Sequence, residues 1–217
     1  MNGKLIVIEG LDGCGKTTQW ELLRTKFPKA SFVTFPDYDS HAGRLIRDYL
    51  SGDFGEYAEN AYAVSSFYAV DRFVSFVSFA KSWGQSYASG ADIICARYTS
   101  SNAIYQMAKL PQEQWEGYLR WLYEFEHERL KLPRPDLTVF LSLPLDVSDR
   151  LLQTREAHGG DIHERDAVYR EKCRQAAIYL AEREGWTKLN CADSFGEMRA
   201  IGDIHNELTG IITNATL

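Results

Sequence analysis

Residues 10–17 have the types and spacing of a phosphate-binding loop. Their sequence, GLDGCGKT, matches the pattern GxxxxGK[ST] and lies between a strand-like run and a helix-like run. In such loops the glycines let backbone N–H groups face the phosphates, and the amino end of the following helix adds positive potential. Lys16 is expected at the β and γ phosphates and Thr17 on Mg²⁺. The sequence therefore predicts a site for ATP and magnesium, with contacts from Gly10, Leu11, Asp12, Gly13, Cys14, Gly15, Lys16, Thr17 and Thr18.

Asp12 is an unusual member of this loop, because a carboxylate directed at phosphates would repel them. Three interpretations fit its position. Asp12 accepts a hydrogen bond from the hydroxyl of a phosphoryl acceptor, helps to hold magnesium, or has a structural role in which it points away to solvent or caps the helix. The loop sequence alone does not decide between them.

The segment 61–80 contains a second group of residues suited to ligand contact. It has the length of a helix, but aromatic and aliphatic residues occupy nearly every face, and its only charged residues are Asp71 and Arg72. Such a helix lies in the core, or it packs its second face against another subunit. A buried arginine beside a carboxylate forms a structural pair or contacts a ligand in a cleft, and the spacing leaves both open.

A third group of basic residues surrounds a glycine pair in the segment 150–174. Its members are Arg150, Arg155, His158, Gly159, Gly160, His163, Arg165, Arg170 and Arg174. A basic segment with a glycine hinge after a strand is typical of a lid that closes over phosphates and neutralises the transferring group. We predict such a lid at about residues 150–166. A solvated helix with alternating charges is the alternative.

Five short apolar runs alternate with longer amphipathic stretches and must position these groups. The runs are Lys4–Glu9, Ser31–Phe35, Asp92–Ala96, Leu137–Leu143 and Trp186–Asn190. Their alternation predicts an α/β protein with a five-stranded parallel sheet and helices on both faces, in the three-layer arrangement of P-loop NTPases. Ligands of such sheets bind at the carboxyl ends of the strands. No repeat or linker is visible, so we expect residues 1–217 to form one domain.

Composition restricts the class of partner. The chain has 217 residues, a formal net charge of −6 and a sequence pI of about 5.4, which disfavours a nucleic-acid partner. No stretch resembles a signal peptide, and no apolar run approaches the ~18 residues of a membrane helix. Four scattered cysteines without CxxC spacing indicate reduced thiols. We therefore expect a cytoplasmic protein with no membrane partner.

The order of several short motifs resembles the thymidylate kinase family. The motifs are IEGLDGCGKTTQ at Ile8–Gln19, FPDY at Phe35–Tyr38, FYAVDR at Phe67–Arg72, ARYTSSNAIYQ at Ala96–Gln106, PRPDLTVFL at Pro133–Leu141 and DIHERD at Asp161–Asp166. Each motif is short, but their order is kept through most of the chain. The string NKxD, expected of a guanine-specific switch protein, does not occur.

The resemblance implies a pocket for deoxythymidine monophosphate (dTMP). In the family, the residues that match Phe35 and Pro36 border the nucleoside, and those that match Tyr68 and Arg72 stack on thymine and hydrogen-bond a base oxygen. The full set implied for dTMP is Asp12, Phe35, Pro36, Tyr38, Tyr68, Arg72, Arg97, Ser101, Asn102, Tyr105, Asp161 and Glu164. Within it, Arg97 matches the residue on the acceptor phosphate, Asn102 faces the pyrimidine edge, and Tyr105 lies beneath the deoxyribose.

The resemblance also implies which residues are catalytic: Asp12, Lys16, Arg97 and Arg155. Family members take the arginine that neutralises the transferring group from the loop or from the lid, and Gly13 occupies the loop position here. The lid is therefore expected to supply it, with Arg155 as the first choice and Arg165 as the second. Arg150 resembles the residue that packs near the adenine and phosphate of ATP.

One position departs from the family pattern. An aspartate usually precedes the arginine at the end of the third strand, near the hydration shell of magnesium, and this chain has Ala96 there. Glu9 and Asp12 are the nearby carboxylates that could compensate. The prediction is an ATP- and Mg²⁺-dependent dTMP kinase that forms a homodimer and uses in-line transfer. The alternatives are another nucleotide or deoxynucleoside kinase, or a weakly active nucleotide-binding module.

Overall fold

A five-stranded parallel sheet forms the centre of the fold. The structure is a computed structural model that describes residues 1–78, 82–153 and 166–216. The strands are β1 Leu5–Gly10, β2 Ser31–Thr34, β3 Ile93–Ala96, β4 Leu137–Ser142 and β5 Thr187–Asn190. They lie in the order β2-β3-β1-β4-β5, and each neighbouring pair is parallel. The predicted α/β sheet is confirmed, and the ends of the strands differ from the predicted runs by one residue at most.

Helices connect the strands and cover both faces of the sheet. Within the described residues they are α1 Lys16–Lys26, α2 His41–Ser51, α3 Ala61–Val77, α4 Trp83–Ala88, α5 Thr99–Met107, α6 Trp115–Tyr123, α7 Leu145–Gln153, α8 Ala167–Arg183 and α9 Ile201–Thr216. A π-helical segment, Glu124–Arg129, follows α6 directly. In the part of the chain described here, no helix combines the length and the apolar character needed to cross a membrane.

The central strand β1 separates two of the cores. All six of its residues are buried, because helices cover it on both sides. On one face Ile8 belongs to a core with Trp20 of α1, and on the other face Val7 belongs to a core with Trp83 of α4. A further core joins α5, α6 and α8 around Phe140 of β4. The three predicted layers follow from this alternation.

The carboxyl ends of the first three strands collect the predicted site residues along one edge of the sheet. β1 runs into the loop 10–17, β2 is followed by Phe35 and Pro36, and β3 is followed by Arg97, after which α5 begins. Parallel strands place their carboxyl ends together, so segments that are far apart in the chain meet there. This edge positions the candidate site.

Two predicted segments are described only in part. Helix α3 begins at Ala61 as predicted and ends at Val77, and residues 79–81 lie outside the described residues. Its faces differ: Arg72 is buried, whereas Val70, Val74 and Val77 are exposed. Of the predicted lid, residues 150–153 end α7 and Asp166 caps α8, and residues 154–165 are outside the described residues.

Candidate active site

The loop between β1 and α1 has the backbone geometry of a phosphate cradle. Gly10, Gly13 and Gly15 have φ angles of 155°, 81° and 87°, which side-chain-bearing residues adopt rarely. A Cβ atom on Gly10 would lie 2.6 Å from Cys14 Sγ. Among the described residues no side chain caps α1 at Gly15, and its first turn has no acidic residue. The amino end of α1 therefore keeps its positive potential for an anion.

Lys16 lies over this loop. Its side chain is buried, and Nζ donates a hydrogen bond of 2.8 Å to the carbonyl oxygen of Leu11 and lies 3.8 Å from Cys14 Sγ. Thr17, next in the chain, is exposed. The ammonium group is thus held where the phosphates of a nucleotide on the loop would lie.

A cavity of about 100 Å³ adjoins the loop. Ten of the residues predicted for dTMP line it: Asp12, Phe35, Pro36, Tyr38, Tyr68, Arg72, Arg97, Ser101, Asn102 and Tyr105. Leu50, Tyr98 and Gln106 also line it and were not predicted. The other two predicted residues, Asp161 and Glu164, lie outside the described residues. Asp12 is shared by the phosphate loop and this pocket, so the two sites are contiguous.

At one end of the pocket, Arg97, Asp12 and Tyr105 form a polar triad. Arg97 Nη2 pairs with Asp12 Oδ1, Arg97 Nη1 donates to the Tyr105 hydroxyl at 3.2 Å, and that hydroxyl donates to Asp12 Oδ2 at 2.8 Å. Arg97 has a φ of 63°, an uncommon conformation that sets the direction of its side chain. We call this triad the phosphate end of the pocket, because Arg97 is the residue expected on the acceptor phosphate.

The charge states of the triad follow from its contacts. Burial alone would raise the pKa of Asp12, but Arg97 and Lys16, with the Tyr105 hydrogen bond, outweigh it and lower the pKa to about 2. Burial raises the pKa of Tyr105 well above its usual value. At neutral pH Asp12 is therefore ionised and Tyr105 is a protonated donor.

At the other end, Arg72 and Asn102 converge on Glu126, which comes from the π-helical segment. Arg72 donates to Glu126 from Nε at 2.8 Å and also from Nη2, and Asn102 Nδ2 donates to Glu126 Oε1 at 3.0 Å. The Thr99 hydroxyl donates to Glu126 Oε2 at 2.7 Å. Burial would raise the pKa of Glu126, but Arg72 and these hydrogen bonds lower it. We call this group the base end of the pocket, because Arg72 and Asn102 are the residues expected at the base.

The partner of Arg72 is therefore not its neighbour Asp71. Asp71 instead accepts hydrogen bonds of 3.0 Å from the backbone N–H of Asp37 and from the Ser40 hydroxyl, which hold the segment between β2 and α2. The sequence left a structural pair and a ligand contact open for Arg72. The structure shows a structural pair with Glu126, and Arg72 also lines the pocket, so its contact with a ligand stays a prediction.

Glu126 was missed by the sequence reasoning, although the sequence contains a signal for it. The buried residues of α6 are Trp115, Tyr118, Leu119 and Leu122, and Glu126 continues this stripe at helical spacing. A carboxylate at an otherwise apolar position of a stripe is buried only with partners. The charged run EFEHER concealed this, since it resembles a solvated helix.

The two carboxylates suggested as substitutes for the family aspartate are both engaged. Glu9 is fully buried and accepts from Gly10 N, from the Ser100 hydroxyl at 2.7 Å and from the Ser101 hydroxyl at 2.8 Å. Asp12 is paired with Arg97. Ala96 lies in the core cluster of β1 and β3. In the part of the chain that is described, no group of three or more His, Cys, Asp or Glu residues could hold a metal.

On the donor side, Arg150 of α7 contacts the loop that follows β5. It donates to the Gly196 carbonyl oxygen at 3.4 Å and to Glu197 Oε1 at 3.2 Å. Met198 of the same loop lies against Gly15, since a Cβ atom there would be 3.2 Å from Met198 Cε. Arg150 is therefore linked to the phosphate loop through this segment. The predicted lid arginines, Arg155 and Arg165, lie outside the described residues.

Comparison with known proteins relates this geometry to one family. Residues 8–200 match the family described as Thymidylate kinase. The thymidylate kinase of Candida albicans has the same fold, with a TM-score of 0.75 and 24% sequence identity over 98% of this chain and 92% of that chain.

Two relatives are similar in sequence over most of their length. The chain is 31% identical over 193 residues to the thymidylate kinase of Mycobacterium tuberculosis (strain CDC 1551 / Oshkosh), an alignment that covers 84% of this chain and 87% of the relative. It is 30% identical over 228 residues to the probable thymidylate kinase of Pyrococcus horikoshii, covering 100% and 99%. The chain belongs to the thymidylate kinase family.

Proposed function

We propose that this chain transfers the γ-phosphoryl group of ATP to dTMP and releases ADP and dTDP. The observation that carries this proposal is that two neighbouring anion sites share one residue. Asp12 belongs to the phosphate loop and also to the wall of a pocket that has Arg97 at one end and Arg72 with Asn102 at the other. A nucleoside monophosphate has a matching distribution of groups, with an anionic phosphate and a hydrogen-bonding base.

Transfer in this arrangement depends on positioning and charge neutralisation. The loop amides and Lys16 hold the donor phosphates, and Arg97 holds the acceptor phosphate in line with them. Asp12 is ionised and cannot donate a proton, so it accepts hydrogen bonds that orient the acceptor nucleotide. No nucleophilic side chain is required, because the acceptor phosphate oxygen attacks the γ-phosphorus directly.

The base end matches a pyrimidine that has a 4-oxo group and an N3 hydrogen. Arg72 is a donor only, and it suits the carbonyl oxygen at position 4. Asn102 is 3% exposed, and its Oδ1 has no hydrogen-bond partner within the described residues. A buried acceptor of this kind is costly unless a ligand supplies a donor, and the N3–H group of thymine is such a donor.

Magnesium is part of the proposal, with few protein ligands. Thr17 is exposed beside Lys16 and provides a hydroxyl oxygen, and Mg²⁺ favours oxygen ligands that include water and phosphates. When bound, the ion neutralises the charge that develops on the phosphates. Because Ala96 carries no carboxylate, we expect Ala96→Asp to lower the Mg²⁺ concentration that gives half of the maximal rate. An unchanged or higher Mg²⁺ requirement in that variant contradicts a role for this position.

The direct test is formation of dTDP from ATP, with UMP, CMP and thymidine as competing acceptors. We expect dTMP to have the highest kcat/KM. Lys16→Ala should lower the rate at least about a thousandfold, because Lys16 is the cation placed over the loop. Lys26→Ala, at the exposed end of the same helix, should leave the rate unchanged. Unchanged turnover in Lys16→Ala, or a preference for thymidine over dTMP, would refute the assignment.

We also propose one domain, a homodimer and a cytoplasmic location. The family match over residues 8–200 supports a single unit. Val70, Val74 and Val77 form an exposed apolar stripe on α3 that a second copy of the chain could cover. Sedimentation of the protein and of Val74→Asp tests the dimer, which we expect the substitution to weaken. The four buried thiols agree with a reducing compartment.

A further inference from the structure

Glu126 holds two residues of the pocket wall, Arg72 and Asn102, without lining the pocket itself. Its carboxylate is fully buried and accepts from Arg72, Thr99 and Asn102. Thr99 and Asn102 lie on α5, and Arg72 lies on α3. A single carboxylate therefore sets the relative positions of groups from two helices at the base end of the pocket.

The contacts of Asn102 determine which way its amide is turned. Nδ2 has two acceptors, Glu126 Oε1 at 3.0 Å and the Ser65 carbonyl oxygen at 3.1 Å. The opposite orientation would place Oδ1 against both of these oxygens and would lose two hydrogen bonds. Both amide hydrogens are thus committed, and Oδ1 is the only atom of the amide that can still bond a ligand. As an oxygen, it can only accept.

The contacts of Arg72 have the complementary effect. Nε and Nη2 donate to the two oxygens of Glu126, a bidentate pair that fixes the plane of the guanidinium group. Within the described residues, Nη1 makes no hydrogen bond to a side chain or a carbonyl group. Glu126 therefore leaves a donor on Arg72 and an acceptor on Asn102 for the ligand.

We propose that Glu126 is a positioning residue that determines base specificity, because it orients Asn102 as an acceptor and Arg72 as a donor. This inference rests on the proposed function. The donor and acceptor pattern matches the N3–H and O4 of thymine or uracil. Cytosine has the opposite pattern, an acceptor at N3 and a donor at N4, and so meets like groups at both positions. The selection against a 4-amino pyrimidine thus originates in a side chain that does not touch the base.

The test compares dTMP with 5-methyl-dCMP, which keeps the methyl group and differs only at N3 and position 4. The variants are Glu126→Gln and Glu126→Asp, with Glu128→Gln as the matched control on the same segment. Glu128 is exposed and its carboxylate contacts Arg134. The measured quantity is the ratio of kcat/KM for the two nucleotides, because a loss of folded enzyme changes both values equally and leaves their ratio unchanged.

We expect Glu126→Gln to lower the preference for dTMP by about ten- to a hundredfold. This factor corresponds to the free energy of one hydrogen bond to a charged group. Glu126→Asp keeps the charge and should lower the preference less. Glu128→Gln should retain the wild-type ratio. If Glu126→Gln does not fold, Glu126→Asp decides the outcome. Wild-type ratios in the folded Glu126 variants, or an equal fall in Glu128→Gln, would overturn the inference.

Failure of the proposed function has a different signature. If the wild-type protein does not phosphorylate dTMP, the kinase assignment fails, whereas the role of Glu126 can still be measured by calorimetric binding. The ratio of the dissociation constants of dTMP and 5-methyl-dCMP then replaces the kinetic ratio. An unchanged ratio between wild type and Glu126→Asp in that assay also refutes the role of Glu126.

Discussion

The two ends of the pocket are both built on an arginine and a carboxylate, but they differ in burial. At the base end, the side chains of Arg72 and Glu126 are 2% and 0% exposed. At the phosphate end, those of Arg97 and Asp12 are 25% and 27% exposed. A buried ion pair must stay paired, because separating it leaves a desolvated charge, whereas a partly hydrated pair can exchange partners. The Arg72–Glu126 pair of the base end is therefore expected to stay intact, whereas the Arg97–Asp12 pair of the phosphate end can exchange partners.

In the proposed function, this difference lets a small cavity accept a nucleotide. The volume of about 100 Å³ is below the roughly 300–1,000 Å³ of typical small-molecule sites. Arg97 is paired with Asp12, so a monophosphate must compete with Asp12 for the same guanidinium group. We expect the phosphate end to rearrange when dTMP binds, while Arg72, Glu126 and Asn102 keep their contacts.

The largest expected effect tests whether the ion pair of the base end is a buried unit that must stay paired. Arg72→Met leaves Glu126 buried without its cation, and we expect the free energy of unfolding to fall by about 3–5 kcal/mol. The double variant Arg72→Met with Glu126→Leu removes both charges and should regain most of that stability without regaining dTMP binding. Urea unfolding and calorimetric binding measure the two effects. A double variant no more stable than Arg72→Met contradicts the view of this pair as a buried unit.

The next effect tests the exchangeable end. Arg97→Met removes the cation that we propose for the acceptor phosphate, and we expect kcat/KM for dTMP to fall about a hundredfold or more. Because the pair is partly hydrated, the free energy of unfolding should change by only about 1 kcal/mol. Steady-state kinetics and urea unfolding give both numbers, and Arg129→Met on the surface is the control. A loss of stability as large as that of Arg72→Met would remove the distinction between the two ends.

A smaller effect concerns the stability of the protein at low pH. The pKa of Asp12 is about 2 in the fold, below its usual 3.8, so its ion pair contributes stability that is complete above about pH 4 and is lost as the pH falls towards 2. For a partly exposed group this amounts to about 1 kcal/mol. Urea unfolding at pH 7 and pH 3 should show a smaller loss for Asp12→Asn than for the wild-type protein. Equal losses would show that Asp12 is not held ionised by Arg97.

The smallest effect concerns the hydroxyl that joins the triad. Tyr105→Phe removes the donor to Asp12 but keeps the aromatic ring, and we expect kcat/KM for dTMP to fall about fivefold, the size of one ordinary hydrogen bond. Tyr179→Phe is the control, since that hydroxyl bonds Glu116 away from the pocket. A fall of a hundredfold would mean that Tyr105 holds the phosphate end as firmly as Arg97 does.

Local patterns predicted most of the framework. Strands β1, β3 and β4 were predictable because buried parallel strands are short apolar runs, and the edge strands β2 and β5 were predictable from the alternation of strands and helices. The phosphate loop was predictable because its glycine and lysine spacing is required by backbone geometry. The exact end of α3 and the choice of partner for Arg72 were not predictable. Asp71 is adjacent in the chain, and proximity in sequence favoured it over Glu126, which is 54 residues away.

The pocket residues were likewise predicted only in part from the sequence. Ten of them line one cavity because they follow the ends of neighbouring strands or lie on α3 and α5 beside them. Arg155, Asp161 and Glu164 remain predictions, because they lie outside the described residues. Glu126 was absent from the prediction, since the charged run EFEHER concealed its place in the apolar stripe of α6.

The sequence by itself determined the parallel sheet, the phosphate loop and the chemical types of the pocket residues, because each depends on spacing within a short segment. Tertiary structure alone decided which charges meet. The contacts of Glu126 with Arg72 and Asn102 join the π-helical segment to α3 and α5, and the orientation of the amide depends on all of these contacts together. Pairing between distant segments is set by packing and desolvation, which no local pattern records.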